Sequence, residues 1–202
     1  MALFNAEQVM SRANSYLNKS FGRLQESVSI ESAMKNFSEK SERVQNFDIF
    51  LSHSYSDRKG AIGLQNILEN DFGYSVYIDW VIDRNLDRNN VSSLTAKTIK
   101  ERMKKCRCLF YITSTNSSTS KWMPWETGLM DGLKNRVAIC PFSPNSNTNN
   151  FFGQEYLGIY PYVTIDKSTT STNDLLWIRI DEDTYISFDE WLMGNNPCKH
   201  YD

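Results

Sequence analysis

Trp122 and Glu126 stand one helical turn apart in the stretch Ser-Lys-Trp-Met-Pro-Trp-Glu-Thr-Gly-Leu-Met-Asp-Gly, residues 120–132. At about 100° per residue, Trp122, Trp125, Leu129, Met130 and Leu133 share one face, and Lys121, Thr127, Asp131 and Lys134 lie opposite. Glu126 falls inside the apolar stripe. A carboxylate in that position must be paired, line a cleft or shift its pKa, because an unpaired buried charge is very costly. Pro124 lies between the two residues, which requires both to be in the first turn of the helix. The competing reading makes Met123 the N-cap and places Glu126 third in the helix, where it serves the helix dipole. A methionine caps poorly, and capping leaves the neighbouring tryptophan unexplained.

Other chemistries lack their residues. The chain has two histidines, His53 and His200, and no G-x-S-x-G, which argues against a Ser-His-Asp hydrolase. Neither G-x-G-x-x-G after the first strand nor G-x-x-x-x-G-K-[ST] occurs. Cys106, Cys108, Cys140 and Cys198 lack zinc-site spacing and are too few for a disulfide scaffold, so buried free thiols in a reducing cytoplasm are expected and no metal site is. A net charge of −2 with both signs interspersed points away from nucleic acid. No segment approaches the roughly 18 apolar residues of a membrane span, and the amino terminus does not resemble a secretion signal. A protein of the cytoplasm is expected.

The elements that must position the stretch follow in order. Residues 1–45 read as an N-terminal helical extension and linker: Val9, Ala13, Tyr16, Leu17, Phe21, Leu24 and Val28 recur at helical spacing, Ile30, Ala33, Met34 and Phe37 continue it with a slip, and 38–46 is a polar linker. The apolar face either packs on the following domain or meets a partner. From 46 to 202 strands alternate with helices: strand 47–52; a helix through Ala61, Leu64, Ile67 and Leu68 capped by Ser56 or Asp57; strand 74–79; loop 80–90; a helix through Ala96, Ile99 and Met103; strand 107–113; loop 114–120; the Glu126 helix; and strand 136–140. Beyond Pro141 the alternation weakens, with strands at 162–166 and 175–180 and a closing helix at 187–193. Such alternation implies βαβ units and a doubly wound, flavodoxin-like α/β fold on a five-stranded parallel sheet. Ligands bind beyond the carboxyl ends of such strands. Those ends carry Ser52, His53 and Ser54, then Asp79 and Trp80, then Thr113 and Ser114 with Asn116. Each has a plain alternative: a strand-end Ser-His can satisfy loop backbone groups, and Asp79, Asp83 and Asp87 can be solvated loop carboxylates.

At this point the pattern resembles the TIR (Toll/interleukin-1 receptor) domain family, its bacterial antiphage members of the Thoeris type in particular. Phe47-Asp-Ile-Phe-Leu-Ser-His-Ser resembles the first box, Val76-Tyr-Ile-Asp-Trp80 the second strand, Cys108-Leu-Phe-Tyr-Ile-Thr-Ser114 with Ser120-Lys-Trp122 the third strand and the opening of the next helix, and Trp122-Met-Pro-Trp-Glu126 the W-x-x-x-E motif. The match covers residues 46–142 well and 143–202 weakly. It implies an enzyme that cleaves the nicotinamide–ribose bond of NAD+, the substrate rather than a cofactor, with Glu126 as the catalytic carboxylate. Trp122 would lie against a ring of the dinucleotide, and Ser52, His53, Asp79 and Ser114 would line its site. The product would be ADP-ribose or a cyclic ADP-ribose second messenger read by a downstream effector, and self-association is expected. Loop 81–90 lacks the family's usual Pro-Gly, which puts in question any assembly contact made through it. Two alternatives stand beside this reading: a non-catalytic TIR adaptor acting through assembly, and another nucleotide-processing α/β enzyme with one glutamate at a ribose carbon.

Overall fold

The computed structural model describes residues 2–22, 24–78, 93–114, 117, 120–143, 155–167 and 174–200. Asp79, the loop 80–90 and Asn116 lie outside the described residues. Strands β1 (Phe4–Asn5), β2 (Phe47–Ser52), β3 (Val76–Ile78), β4 (Cys106–Thr113), β5 (Val137–Ser143), β6 (Tyr162–Lys167), β7 (Asp174–Arg179), β8 (Thr184–Ser187) and β9 (Cys198–Lys199) form one sheet. The helices are α1 (Ala6–Phe21), α2 (Glu26–Arg43), α3 (Arg58–Asn70), α4 (Ser93–Lys104), α5 (Trp122–Lys134) and α6 (Phe188–Leu192).

The central order β3-β2-β4-β5-β6 is parallel throughout. This is the expected five-stranded flavodoxin-like arrangement, whose order reverses between β2 and β4. Its strands are near-continuous apolar runs because helices cover both faces. Ile49, Leu51, Cys108, Phe110 and Ile112 pack toward α1, α2, α3 and α6, while Phe50, Leu109 and Tyr111 pack toward α4 and α5. Successive side chains thus alternate between two cores.

Three features differ from the sequence reading. Helix α2 runs through Arg43, so most of the supposed linker is helical. Beyond β6 the sheet turns antiparallel, adding β7, β8 and β9, of which the last two are too short to show a period. Finally, β1 pairs in parallel with the carboxyl end of β5, Phe4 opposite Phe142, and Ala2 bridges to Ile165 of β6. These two strands pair with each other only at Ile139 and Tyr162, and the amino-terminal segment fills the gap where they diverge.

The N-terminal helices pack on their own chain. Val9, Ala13 and Leu17 of α1 are buried, and α1 lies directly on α3. A Cβ at Gly63 would stand 2.1 Å from the Val9 carbonyl oxygen, so glycine is what allows so close an approach. Ion pairs Arg12–Asp71, Lys40–Glu69 at 3.5 Å and Lys59–Glu26 at 2.9 Å rim this layer. Each contributes at most about 1 kcal/mol at such a surface. All four cysteines are free; Cys198, expected to be buried, is exposed at the end of the sheet. No helix among the described residues is long and apolar enough to cross a membrane.

Candidate functional site

Ser52 is the last residue of β2, and Thr113, the last of β4, leads directly into Ser114. These strand ends flank the reversal point of the sheet, where open α/β sheets bind ligands. Helix α5 lies against the same region and presents Glu126 to it. The carboxylate is buried, with 4% of the residue exposed, and its Oε2 accepts a 2.6 Å hydrogen bond from Ser52 Oγ. The two residues are 74 positions apart, so only the tertiary fold brings them together.

Helix α5 begins at Trp122 with Lys121 in the N-cap position. The Met123 N–H donates to Ser120 Oγ at 3.4 Å. Pro124 therefore occupies the first turn, as its missing N–H requires. Glu126 is the fifth helical residue, just past the first turn expected for it, because the helix already begins at Trp122 and Pro124 is tolerated as its third residue; the side chain reaches a neighbouring strand, which removes the Met123 capping arrangement. The buried side of α5 is Met123, Glu126, Thr127 and Met130, spaced i, i+3, i+4 and i+7. That corrects the wheel: Thr127, expected to face outward, is sealed, and its Oγ1 donates to the Met123 carbonyl at 2.8 Å. Trp125 and Leu133, expected inward, are each 38% exposed. The physical reason is that a helix on a flat sheet seals only a narrow stripe, and its bulky flanking residues spread over the rim. Trp122 is half-buried and meets Trp125 edge to face at 5.4 Å between centroids. The tryptophans border the Glu126 side of α5.

His53 follows Ser52 directly, with Nδ1 3.3 Å from the Leu51 carbonyl. Burial lowers its pKa to about 4; the Leu51 bond and the Asp57 carboxylate oppose the shift and Arg58 adds to it. The ring is neutral at neutral pH. Ser114 is half-buried, and its Oγ donates to Asp57 Oδ2 at 2.5 Å. Ser54 Oγ donates to the same oxygen, also at 2.5 Å. Ser117 is buried and donates to the Ser114 carbonyl at 2.8 Å. Of the residues singled out from the sequence, Ser52, His53, Ser114, Trp122 and Glu126 lie at or beside the carboxyl ends of β2 and β4; Asp79 lies outside the described residues. Asp57 was not singled out as a site residue, and Ser54 was named only as part of the strand end that carries Ser52 and His53. Asp57 reads as a helix cap in one dimension, and the only hint was the polar Ser-x-x-Asp spacing after the strand.

A five-stranded parallel core in this order, with a tryptophan-flanked glutamate at its reversal point, defines a TIR-type α/β domain. The chain belongs to the TIR family. It is 43% identical over 198 residues to a Bacillus cereus (strain MSX-D12) protein named probable 3' cyclic ADP-D-ribose synthase ThsB', an alignment covering 96% of this chain and 100% of that protein. Over 93 residues, 43% of this chain and 24% of the other, it is 32% identical to the Cytobacillus dafuensis protein named putative cyclic ADP-D-ribose synthase TIR2. No protein-family model matches the chain.

Proposed function

We propose that this TIR protein cleaves the nicotinamide–ribose bond of NAD+ and closes the remaining ADP-ribosyl group into a cyclic ADP-D-ribose messenger in antiphage defence. The observation that carries this reading is the Glu126 carboxylate held by Ser52 at the reversal point of the sheet. Breaking the N-glycosidic bond sends its electron pair to the pyridinium nitrogen, so nicotinamide leaves neutral and needs little acid assistance. Positive charge develops on the ribosyl carbon, as in other glycosidic cleavages. A carboxylate in a nearly dry site stabilises that charge far better than it would in water. The Ser52 bond fixes the carboxylate in advance, before any substrate arrives. Trp122 supplies a flat face for the nicotinamide or adenine ring. His53, neutral, adds no competing positive charge. Capture by an oxygen or nitrogen of the same molecule gives the cyclic product; capture by water gives ADP-ribose. The similarity to proteins named cyclic ADP-D-ribose synthases favours the cyclic outcome. A cytoplasmic enzyme that self-associates and signals to a product-sensing effector completes the reading.

The close sealing of Glu126 supports a second reading, in which the Glu126–Ser52 pair is purely structural. Incubating purified protein with NAD+ and resolving nicotinamide and the ribosyl products by chromatography and mass separates the two. Glu126→Gln that folds normally and releases no nicotinamide supports the enzyme; unchanged turnover removes Glu126 from the mechanism. The adaptor alternative relied on α1 and α2 as a partner surface. The apolar residues of α1 instead face their own chain.

A further inference from the structure

Asp57 stands at the N-cap position of α3 yet makes no side-chain cap bond to that helix. Its Oδ2 instead collects the hydroxyl protons of Ser54, just beyond β2, and Ser114, just beyond β4. The carboxylate therefore clamps the two strand ends across the reversal point, on the edge where Ser52 holds Glu126.

We propose that Asp57 is a positioning residue that fixes Ser114 as an acceptor-only hydroxyl at the substrate edge. A serine hydroxyl has one proton and two lone pairs. With its proton committed to Asp57, Ser114 meets a ligand only through lone pairs; Ser52, whose proton goes to Glu126, is in the same state. Such a wall selects O–H or N–H donors and gives nothing to an acceptor in the same place. On the NAD+ reading, on which this inference rests, the matching donors are the hydroxyls of the nicotinamide ribose. Ser54 is 4% exposed and serves as a strut, whereas Ser114 is open enough to touch the ligand. Ser117 holds the Ser114 backbone, its Oγ donating to the Ser114 carbonyl and its N–H reaching the same oxygen at 3.3 Å. The geometry of the donor-reading group is thus set from both its side chain and its main chain.

The test uses the full chain and the variants Asp57→Ala, Asp57→Asn, Ser114→Ala and the Asp57→Ala/Ser114→Ala double. Ser114→Ala and Asp57→Ala each raise the KM for NAD+ roughly tenfold, the scale of one neutral hydrogen bond to the substrate, and change kcat much less. The double variant is no worse than the worse single, and Asp57→Asn, which keeps the accepting oxygen, recovers most of the loss. NAD+ analogues lacking one hydroxyl of the nicotinamide ribose are penalised by the parent protein, and one of them is not penalised further by Ser114→Ala. An unchanged KM in Ser114→Ala, or losses that add fully in the double variant, overturns the proposal. Denaturant unfolding of the same four-protein cycle tests the clamp without catalysis. The double substitution should lower the midpoint by less than the sum of the singles, and simple additivity overturns the clamp whatever the enzyme does. Failure of the NAD+ reading shows differently, as a parent protein that releases no nicotinamide.

Discussion

Helices α3 and α5 start at the same edge of the sheet, on opposite faces, and are used in opposite ways. Helix α3 lies between the sheet and α1 and buries Gly60, Ala61, Ile62, Gly63, Leu64, Gln65, Ile67 and Leu68. Helix α5, of equal length, buries only Met123, Glu126, Thr127 and Met130. Each also seals a long polar side chain. Gln65 donates to the Val76 carbonyl and to Glu69 from deep in the layer, and its own oxygen is unpaired. Glu126 sits where two strands end. A buried amide in mid-layer staples a helix to a strand, whereas a buried carboxylate at the strand ends is positioned to meet a ligand. The difference lies in depth along the strand and not in residue chemistry.

Four outcomes would sharpen or break that comparison. The largest belongs to Glu126→Gln: nicotinamide release should fall about a thousandfold, the range for losing a preorganised electrostatic group, with the melting temperature nearly unchanged. If stability collapses together with activity, α5 is as structural as α3. Next comes Gly63→Ala, where a Cβ 2.1 Å from the Val9 carbonyl forces α1 off α3. The loss should be about 3 kcal/mol by denaturant titration, the upper range for overpacking, and a neutral result would refute the tight α1–α3 contact.

The third concerns pH. Burial brings the His53 pKa down to about 4 in the folded protein from the ordinary histidine value of 6.5, so the unfolded chain binds more protons between these values. Stability due to His53 is complete above pH 6.5 and declines as the pH falls toward 4, by about 2 kcal/mol after allowing for the partial exposure of the ring. His53→Asn should flatten that part of the stability profile; an identical slope would show that His53 is not buried neutral. Trp125→Ala should be the mildest, costing no more than about 1 kcal/mol in a thermal melt because the ring stands on the rim. A loss of about 3–5 kcal/mol would mark a core tryptophan and return α5 to the plan of α3.

Much of this was legible in one dimension. The run Phe47 to Ser52 is apolar on both faces and could only be a buried strand, and its alternation with amphipathic helices set the parallel sheet. Pro124 fixed the first turn of α5, and the anomaly of a glutamate among apolar residues marked the candidate site. The wheel misassigned Trp125 and Thr127 because periodicity gives the spacing of a face and not its rotation; the sheet chose the stripe with the slimmer side chains. Strand β1 escaped because two residues carry no period; β6, β7 and α6 were legible as strands 162–166 and 175–180 and a closing helix, whereas β8 and β9 are too short to show a period and the antiparallel pairing is not encoded in spacing.

By itself the sequence determined local geometry and the presence of a carboxylate that needed a partner, since backbone sterics, proline and hydrophobic spacing act over a few residues. Only the tertiary structure decided which partner it has. The Ser52–Glu126 and Asp57–Ser114 bonds join residues 74 and 57 positions apart, pairs that hydrophobic period does not encode. They arise because parallel strands with right-handed crossovers return every strand end to one edge, where polar groups left over from each loop must satisfy one another.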